Sequence, residues 1–479
     1  MNRLSNWGWA LLALTALRLL VAALLPLAPD EAYYWVWSRA LATGYLDHPP
    51  MVALWIRAGT LIAGENALGI RLLAPIGVAL ASWALADAAE RIFPGRRVGV
   101  WSAALFNATL MIAAGSILIT PDTPQIVFWC FTLWALARIS LGGPGWWWLI
   151  AGAFAGCALA SKYTAVFLGL GILLWVLSDA GLRRHLLRGW IWAGGALAVA
   201  IFTPVILWNA EHGWASFAKQ GGRAGDGHGF TFRYLGELIG AQFALATPII
   251  FVLGVLGVAA AVKLALKRDR GAALLVAMTV PATLIFLWQA TGSRVQGNWP
   301  AILYPTLCIA AAGCLGARAA RWRVPALAMS GLVLVPVLIQ AIAAPLPLKR
   351  GSDPTLARLG GWPELAAAME EARVKNGASF IASEEYSLAA ELALHLPKGV
   401  PVVAIGDRWD LFRLSPPEPG QRGLLLQSER RSAAPYWPGA EPVGRVIRAR
   451  KGIEAEAYRL FIVQTPAPGQ DVAVLPRPR

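Results

Sequence analysis

The sequence predicts an α-helical polytopic membrane protein of about eleven transmembrane helices with a small C-terminal α/β soluble domain. Three observations lead there. The chain has 479 residues, 57% hydrophobic content and only 14% charged residues, where a soluble protein would carry roughly a quarter. Its mean hydropathy is +0.55. Apolar runs recur near 7–27, 67–90, 98–116, 122–140, 146–160, 164–178, 189–208, 237–262, 271–290, 299–316 and 324–343. Two of these are short for a bilayer crossing.

The cations fall between the runs. Arg91, Arg96 and Arg97 follow the second run; Arg183, Arg184 and Arg188, then Lys263, Lys267, Arg268 and Arg270, then Arg318, Arg321 and Arg323 occupy later alternate connections. With Arg3 they share one face if the N-terminus is cytoplasmic. The net charge of +15 is then a matter of membrane topology, and no nucleic-acid partner is expected. The first run lacks a small-residue cleavage site and reads as a retained helix. Cys130, Cys157, Cys308 and Cys314 lie in apolar runs, as small buried residues.

The remaining connections are external on this pattern. They are the loop after Asp30, the segment 119–124, Ser161–Thr164, the long loop 209–236 and Thr291–Trp299. The acids, histidines and aromatic clusters gather there. An odd number of spans places the tail outside too. The expected division is a membrane domain at 1–343 and a soluble domain at 344–479. Strand-like runs at Gly399–Ile405, Gly423–Leu426 and Tyr458–Val463, with helical spacing over Glu364–Val374, make that tail α/β.

The densest segment is Asp30 to Met51, D-E-A-Y-Y-W-V-W-S-R-A-L-A-T-G-Y-L-D-H-P-P-M. Asp30 and Glu31 open an amphipathic helical segment, where carboxylates suit the first turn. A helix cap accounts for one acid; an ion pair with Arg39 or Arg57 is the alternative for Glu31. Asp47-His48-Pro49-Pro50 places an acid and an imidazole on chain that two prolines hold extended. Asp122 sits between Pro121 and Pro124, as a site residue or an N-cap. Lys162 is a site cation or a snorkelling interfacial lysine. His228 and Arg233 lie in a glycine-rich loop. His185, His212 and Trp214 read as electrostatic or juxtamembrane residues, and the other tryptophans as interfacial anchors. Such loops offer a carboxylate base, acids and a histidine that could hold a divalent metal, and cations for a phosphate. This chemistry suits transfer of a group from a lipid phosphate.

The motifs D-E-A-Y-Y-W at 30–35, Y-L-D-H-P-P-M at 45–51, T-P-D-T-P at 120–124, S-K-Y-T at 161–164, P-V-I-L-W-N-A-E-H-G-W at 204–214 and G-N-W-P at 297–300 make the membrane region resemble the C-type (GT-C) membrane glycosyltransferases. That superfamily includes the dolichyl-phosphate-mannose protein mannosyltransferases and the lipid A aminoarabinose transferases. The resemblance is to the bacterial branch, and the last 135 or so residues have no part in it. It implies an inverting transferase in the inner membrane that moves a sugar from a polyprenyl-phosphate donor to an envelope glycan or lipid, such as lipid A or lipopolysaccharide, at the periplasmic face. Asp30 corresponds to the catalytic base, with Glu31 and Asp122 beside it. Asp47 and His228 correspond to metal ligands; His48, Lys162 and Arg233 to donor-phosphate contacts. His48 stands where relatives have lysine, and imidazole is mostly uncharged at neutral pH. Protein O-mannosylation is the alternative acceptor reading. A lipid-linked sugar transporter or flippase is the rival class, although its ionisable groups would lie mid-membrane.

Overall fold

The computed structural model describes residues 6–94, 97–225, 229–412, 414–431, 433–465 and 472–478. Six of its helices are long and apolar enough to cross a membrane: Asn6–Leu24, Ala67–Ile92, Gly189–Glu211, Pro248–Leu266, Arg270–Ala290 and Ala317–Ala343. A seventh is counted if Tyr163–Ser178 and Ala180–Leu187, bent by 110°, form one span. Four shorter apolar helices are Met51–Ala63, Val98–Ala108, Trp147–Leu159 and Trp299–Gly313. The run at 98–116 is broken because Thr109 is extended and its hydroxyl accepts the Ile112 N–H, starting a new helix.

Contacts divide the chain into two units. The first comprises Met1–Val21, Asp47–Val52 and Arg71–Val335. Its helices approach closely where side chains are small. Gly152 and Gly156 lie one turn apart on the helix Trp147–Leu159. A Cβ on Gly152 would fall 2.0 Å from the Gly194 carbonyl oxygen, and one on Gly156 2.9 Å from Ala198. The backbones touch because nothing larger intervenes, as in other small-residue helix pairs. This contact fixes the helix that leads into Lys162. Around it Trp129, Leu136, Trp148, Trp175 and Met278 form a common apolar core.

The second unit comprises Ala22–Leu46, Ala53–Ile70 and Pro336–Arg479. It contains a six-stranded mixed sheet: β1 Phe380–Ser383, β2 Val402–Ile405, β3 Arg422–Ser428, β4 Glu441–Arg450, β5 Ile453–Gln464 and β6 Val472–Val474. The order is β4-β5-β3-β1-β2-β6. β1 pairs in parallel with β2 and β3, and the other pairings are antiparallel. β1 is buried throughout, as a parallel central strand covered on both faces must be. The helix Trp362–Lys375 packs beside β4. Buried Arg448 of β4 lies 4.0 Å from the Trp362 ring and donates to the carbonyls of Ala357 and Gly360.

Two segments from the N-terminal part of the chain belong to this unit. The helix Pro29–Arg39 is buried on every side from Glu31 to Ser38, so its surroundings are closed where an amphipathic helix would have one open face. It packs on the helix Tyr386–His395. Tyr33 meets Tyr386 at 4.7 Å and Trp409 at 5.4 Å, both edge-on. Trp37 stacks on Tyr45 at 4.1 Å. Arg39 pairs with Glu65, which also accepts the Trp35 indole N–H at 3.0 Å.

Close backbone contact at Gly152 carries a consequence for stability. Gly152→Leu should force the helices apart and destabilise the protein by about 1–3 kcal/mol or more. A thermal melt in detergent reads it; a melting temperature equal to wild type would contradict the glycine contact.

Candidate functional site

Asp122 is the first residue of the helix Asp122–Ser140 and is buried. Its carboxylate oxygens go to two other segments. Oδ1 takes the Lys162 ammonium at 2.6 Å, and Oδ2 accepts from the Asn298 amide at 2.8 Å. Lys162 is itself only 4% exposed, so it does not snorkel to an interface. Opposite charges out of water need each other and need good hydrogen bonds. One turn on, Gln125 donates to the Thr164 hydroxyl at 2.7 Å. The turn before Lys162 is fixed as well: the Ala160 carbonyl accepts the Met51 N–H at 3.1 Å, which ties it to the Pro-Pro segment.

Asp47 is the second buried acid of this unit, 5% exposed. Lys219 Nζ lies 3.1 Å from its Oδ1, and the Gln220 amide donates to its carbonyl at 2.7 Å. His48, half-buried, follows it. A cavity of about 500 Å³ gathers His48, Lys162, Tyr163, Thr164, Gln220 and Gln289. Its remaining walls are largely aromatic: Phe167, Phe202, Phe217, Phe286 and Trp299. Polar groups set in an apolar surround suit a ligand with a charged head and a hydrocarbon body.

Arg233 begins the helix Arg233–Ala246 and is exposed. Its guanidinium reaches Glu237 at 3.1 Å, and Arg294 reaches the same carboxylate at 2.8 Å. The hydrogen bonds from Arg294, then that from Arg233, hold the Glu237 carboxyl below its usual range. Arg233 does not line the cavity.

Asp30 and Glu31 belong to the second unit. Asp30 is exposed in the first turn of its helix. Glu31 is fully buried, and its carboxylate accepts the Ala28 N–H at 2.9 Å, the return half of a capping box. Arg39 serves Glu65. Glu31 is also a neighbour of buried Glu391. Burial pushes the Glu391 carboxyl up, His395 pulls it down, and Glu31 adds a smaller upward push.

His228 lies outside the described residues. Among the described residues no three His, Cys, Asp or Glu side chains come together to hold a metal ion. The carboxylate of Asp47 instead faces an ammonium.

The structure therefore brings together Asp122 with Lys162, and Lys162 with His48. Sequence reasoning did not single out Lys219, Gln220, Asn298 or Arg294. Asn298 stood within the G-N-W-P motif. Lys219 is one polar position in the helix Ala215–Gly225, and its meaning depends on a partner far away in the chain.

The Asp122–Lys162 pair can be tested through stability. Lys162→Met leaves a buried carboxylate without its cation and should cost about 3–5 kcal/mol. Adding Asp122→Asn should restore most of the loss, because the double variant buries no charge. Melting curves of the three proteins decide it; a single variant as stable as wild type would show the pair to be solvated.

The dolichyl-phosphate-mannose-protein mannosyltransferase family model matches residues 47–208. These include Asp47, His48, Asp122 and Lys162. Lipid A galacturonosyltransferase RgtD of Rhizobium johnstonii is 27% identical over 367 residues, 76% of each chain. Among solved structures, ArnT from Cupriavidus metallidurans bound to undecaprenyl phosphate superimposes with a TM-score of 0.63 at 17% identity, covering 99% of this chain and 100% of that one. The apo state of ArnT gives 0.61 at 17% identity, over 95% and 98% of the two chains. At such identity the likeness establishes the fold. The fold, the matched segment and the curated relative agree in making the chain similar to membrane glycosyltransferases of the protein-mannosyltransferase kind.

Proposed function

We propose that this enzyme transfers a sugar, with inversion, from a polyprenyl-phosphate donor to a lipid A or lipopolysaccharide acceptor at the periplasmic face of a bacterial inner membrane. The observation that carries the reading is the cavity in which Lys162 and His48 lie among aromatic walls. A polyprenyl phosphate has the matching division into anionic head and apolar chain. Two relatives support it: one is called a lipid A transferase, and the other holds undecaprenyl phosphate.

In this reading Asp30 removes the proton of the acceptor hydroxyl as that oxygen attacks the anomeric carbon. The new carbon–oxygen bond forms as the bond to phosphate breaks, and polyprenyl phosphate leaves with the bonding pair. A lipid phosphate is a capable leaving group, so positioning, a base and charge neutralisation are the main demands. Lys162 and His48 attend the phosphate; Arg233, expected with them, lies outside the cavity lining. Asp122 holds Lys162 in place. Glu31, expected beside the base, acts here by capping the helix that carries Asp30. The eleven-span topology with a periplasmic tail is read from the cation pattern; Val98–Ala108, Trp147–Leu159, Trp299–Gly313 and Asp122–Ser140 are the four runs it adds to the seven.

The description of the matching family model keeps a second reading in play, transfer to protein hydroxyls. Mass spectrometry of envelope fractions from a deletion strain separates the two. Loss of one sugar from lipid A or lipopolysaccharide is expected. Intact lipopolysaccharide with under-glycosylated proteins would reverse the assignment.

Asp30→Asn keeps the size of the side chain and removes the base. Turnover should fall by about 10²–10⁴-fold while the protein remains inserted and melts like wild type. Substantial retained activity would remove Asp30 from the role.

A further inference from the structure

The helices Tyr163–Ser178 and Arg270–Ala290 reach the Lys162 cavity at one end, through Tyr163 and Gln289. At their other end Ser178 and Arg270 border a second cavity, of about 480 Å³. Its walls are apolar, with Leu174, Val262, Leu266, Val276 and Val280 among them. Its polar residues are Ser178, Asp179, Arg268, Asp269 and Arg270. Both acids are already engaged. Asp179 pairs with Arg270 at 3.0 Å and accepts the Leu182 N–H at 3.0 Å; Asp269 accepts the Ala272 N–H at 2.8 Å. The Trp175 indole donates to the Arg270 carbonyl at 3.0 Å, which fastens the bend after Ser178 to the start of the helix Arg270–Ala290. Arg268 differs from these. It lines the cavity, and among the described residues its guanidinium has no hydrogen-bond or ion-pair partner. Its backbone is left-handed, at φ 68°. The Arg268 N–H donates to Ala265 and the Asp269 N–H to Leu264, a helix ending in which glycine is the usual residue at this position. An arginine is placed there against backbone preference.

We infer that this cavity binds an anionic glycerophospholipid of the leaflet opposite the Lys162 cavity, with Arg268 on the phosphodiester and an acyl chain along the apolar walls. Over 179–188 and 263–270 the chain carries seven Lys and Arg against two Asp, so the surroundings favour an anion. A free phosphate would use the guanidinium and leave the walls uncovered. A neutral lipid would cover the walls and leave the guanidinium unpaired. A lipid with an anionic head satisfies both. Basic pockets between spanning helices on the cytoplasmic side take such heads in other membrane proteins, and the cation pattern assigns this end of the helices to that side. That pattern accounts for the number of cations. It does not account for one held in a left-handed turn over a cavity.

The test uses the full chain in detergent, titrated with phosphatidylglycerol or phosphatidylcholine, with bound lipid counted by native mass spectrometry. Phosphatidylglycerol should bind more tightly by about 10–100-fold, the value of a charge-assisted hydrogen bond. Arg268→Gly should abolish that preference. Glycine suits the left-handed backbone, so this variant should melt no lower than wild type, and its lost binding is not lost folding. Arg184→Gln removes an exposed cation that does not line the cavity and should bind like wild type. Val276→Phe fills the groove and should weaken the binding of both lipids with Arg268 intact. An unchanged preference in Arg268→Gly overturns the inference. An equal loss in Arg184→Gln does so too, since it makes the effect one of general surface charge. Full phosphatidylglycerol affinity in Val276→Phe, or its displacement by millimolar inorganic phosphate, would reduce the cavity to an anion site and overturn the lipid assignment.

Discussion

Lys162 and Asp122 are each at least 95% buried and 2.6 Å apart. In surroundings so poor in water, neither charge is tolerable without the other. That requirement brings the start of one helix to the turn at Ser161–Thr164, and the second carboxylate oxygen brings in Asn298. Gln125 repeats the link one turn further, through Thr164. Met51 then draws the Pro-Pro segment onto the same turn. Four stretches distant in sequence thereby meet at one ion pair and the turn that carries its lysine. Such a pair adds little net stability over an apolar replacement, but it specifies one arrangement.

Asp47 and Lys219 repeat the logic with a difference. This pair leaves its cation partly accessible, and Gln220 anchors the backbone beside it. Of the first pair Lys162 lines the cavity; the second is next in sequence to two residues that do, His48 and Gln220. The aromatic side chains complete the division of labour. Phe167, Phe202, Phe217, Phe286 and Trp299 carry no charge to compete for a phosphate. They surround the polar groups with low-dielectric material in which the charges act more strongly.

Much of this was legible in the sequence, in proportion to how local the cause was. The apolar runs predicted the long helices because span length is a local property. Strands β2, β3 and β5 fell on the runs read as strand-like. Strand β4 did not, because its residues are mostly exposed and include Pro442, Gly444 and three arginines, leaving no apolar alternation to find. The run at 98–116 concealed a break because one threonine can end a helix by capping the next. Asp122 and Lys162 each had a local alternative, a cap or an interfacial lysine. Only their distance from each other chooses between those alternatives, and no periodicity records a distance over forty residues. Lys219 and Asn298 escaped for the same reason. Each is ordinary until its distant acid is known.

Asp30 and Glu31 show how burial separates two neighbouring carboxylates. Glu31 faces inward, returns a hydrogen bond to Ala28 and lies near a second enclosed acid, Glu391. Moving it would uncap the helix and disturb the contact with Tyr386–His395. Asp30, one residue earlier, is exposed. A base must meet a hydroxyl that arrives from outside, so only Asp30 of the two has the required access. The helix that presents it is held by Tyr386 and Trp409 of the C-terminal region, through Tyr33, and Arg408 stands 4.2 Å from the Tyr386 ring. The tail and the helix of the candidate base thus form one packed unit. Trp409, deep in the tail, thus reaches the helix of Asp30 through its edge-on contact with Tyr33.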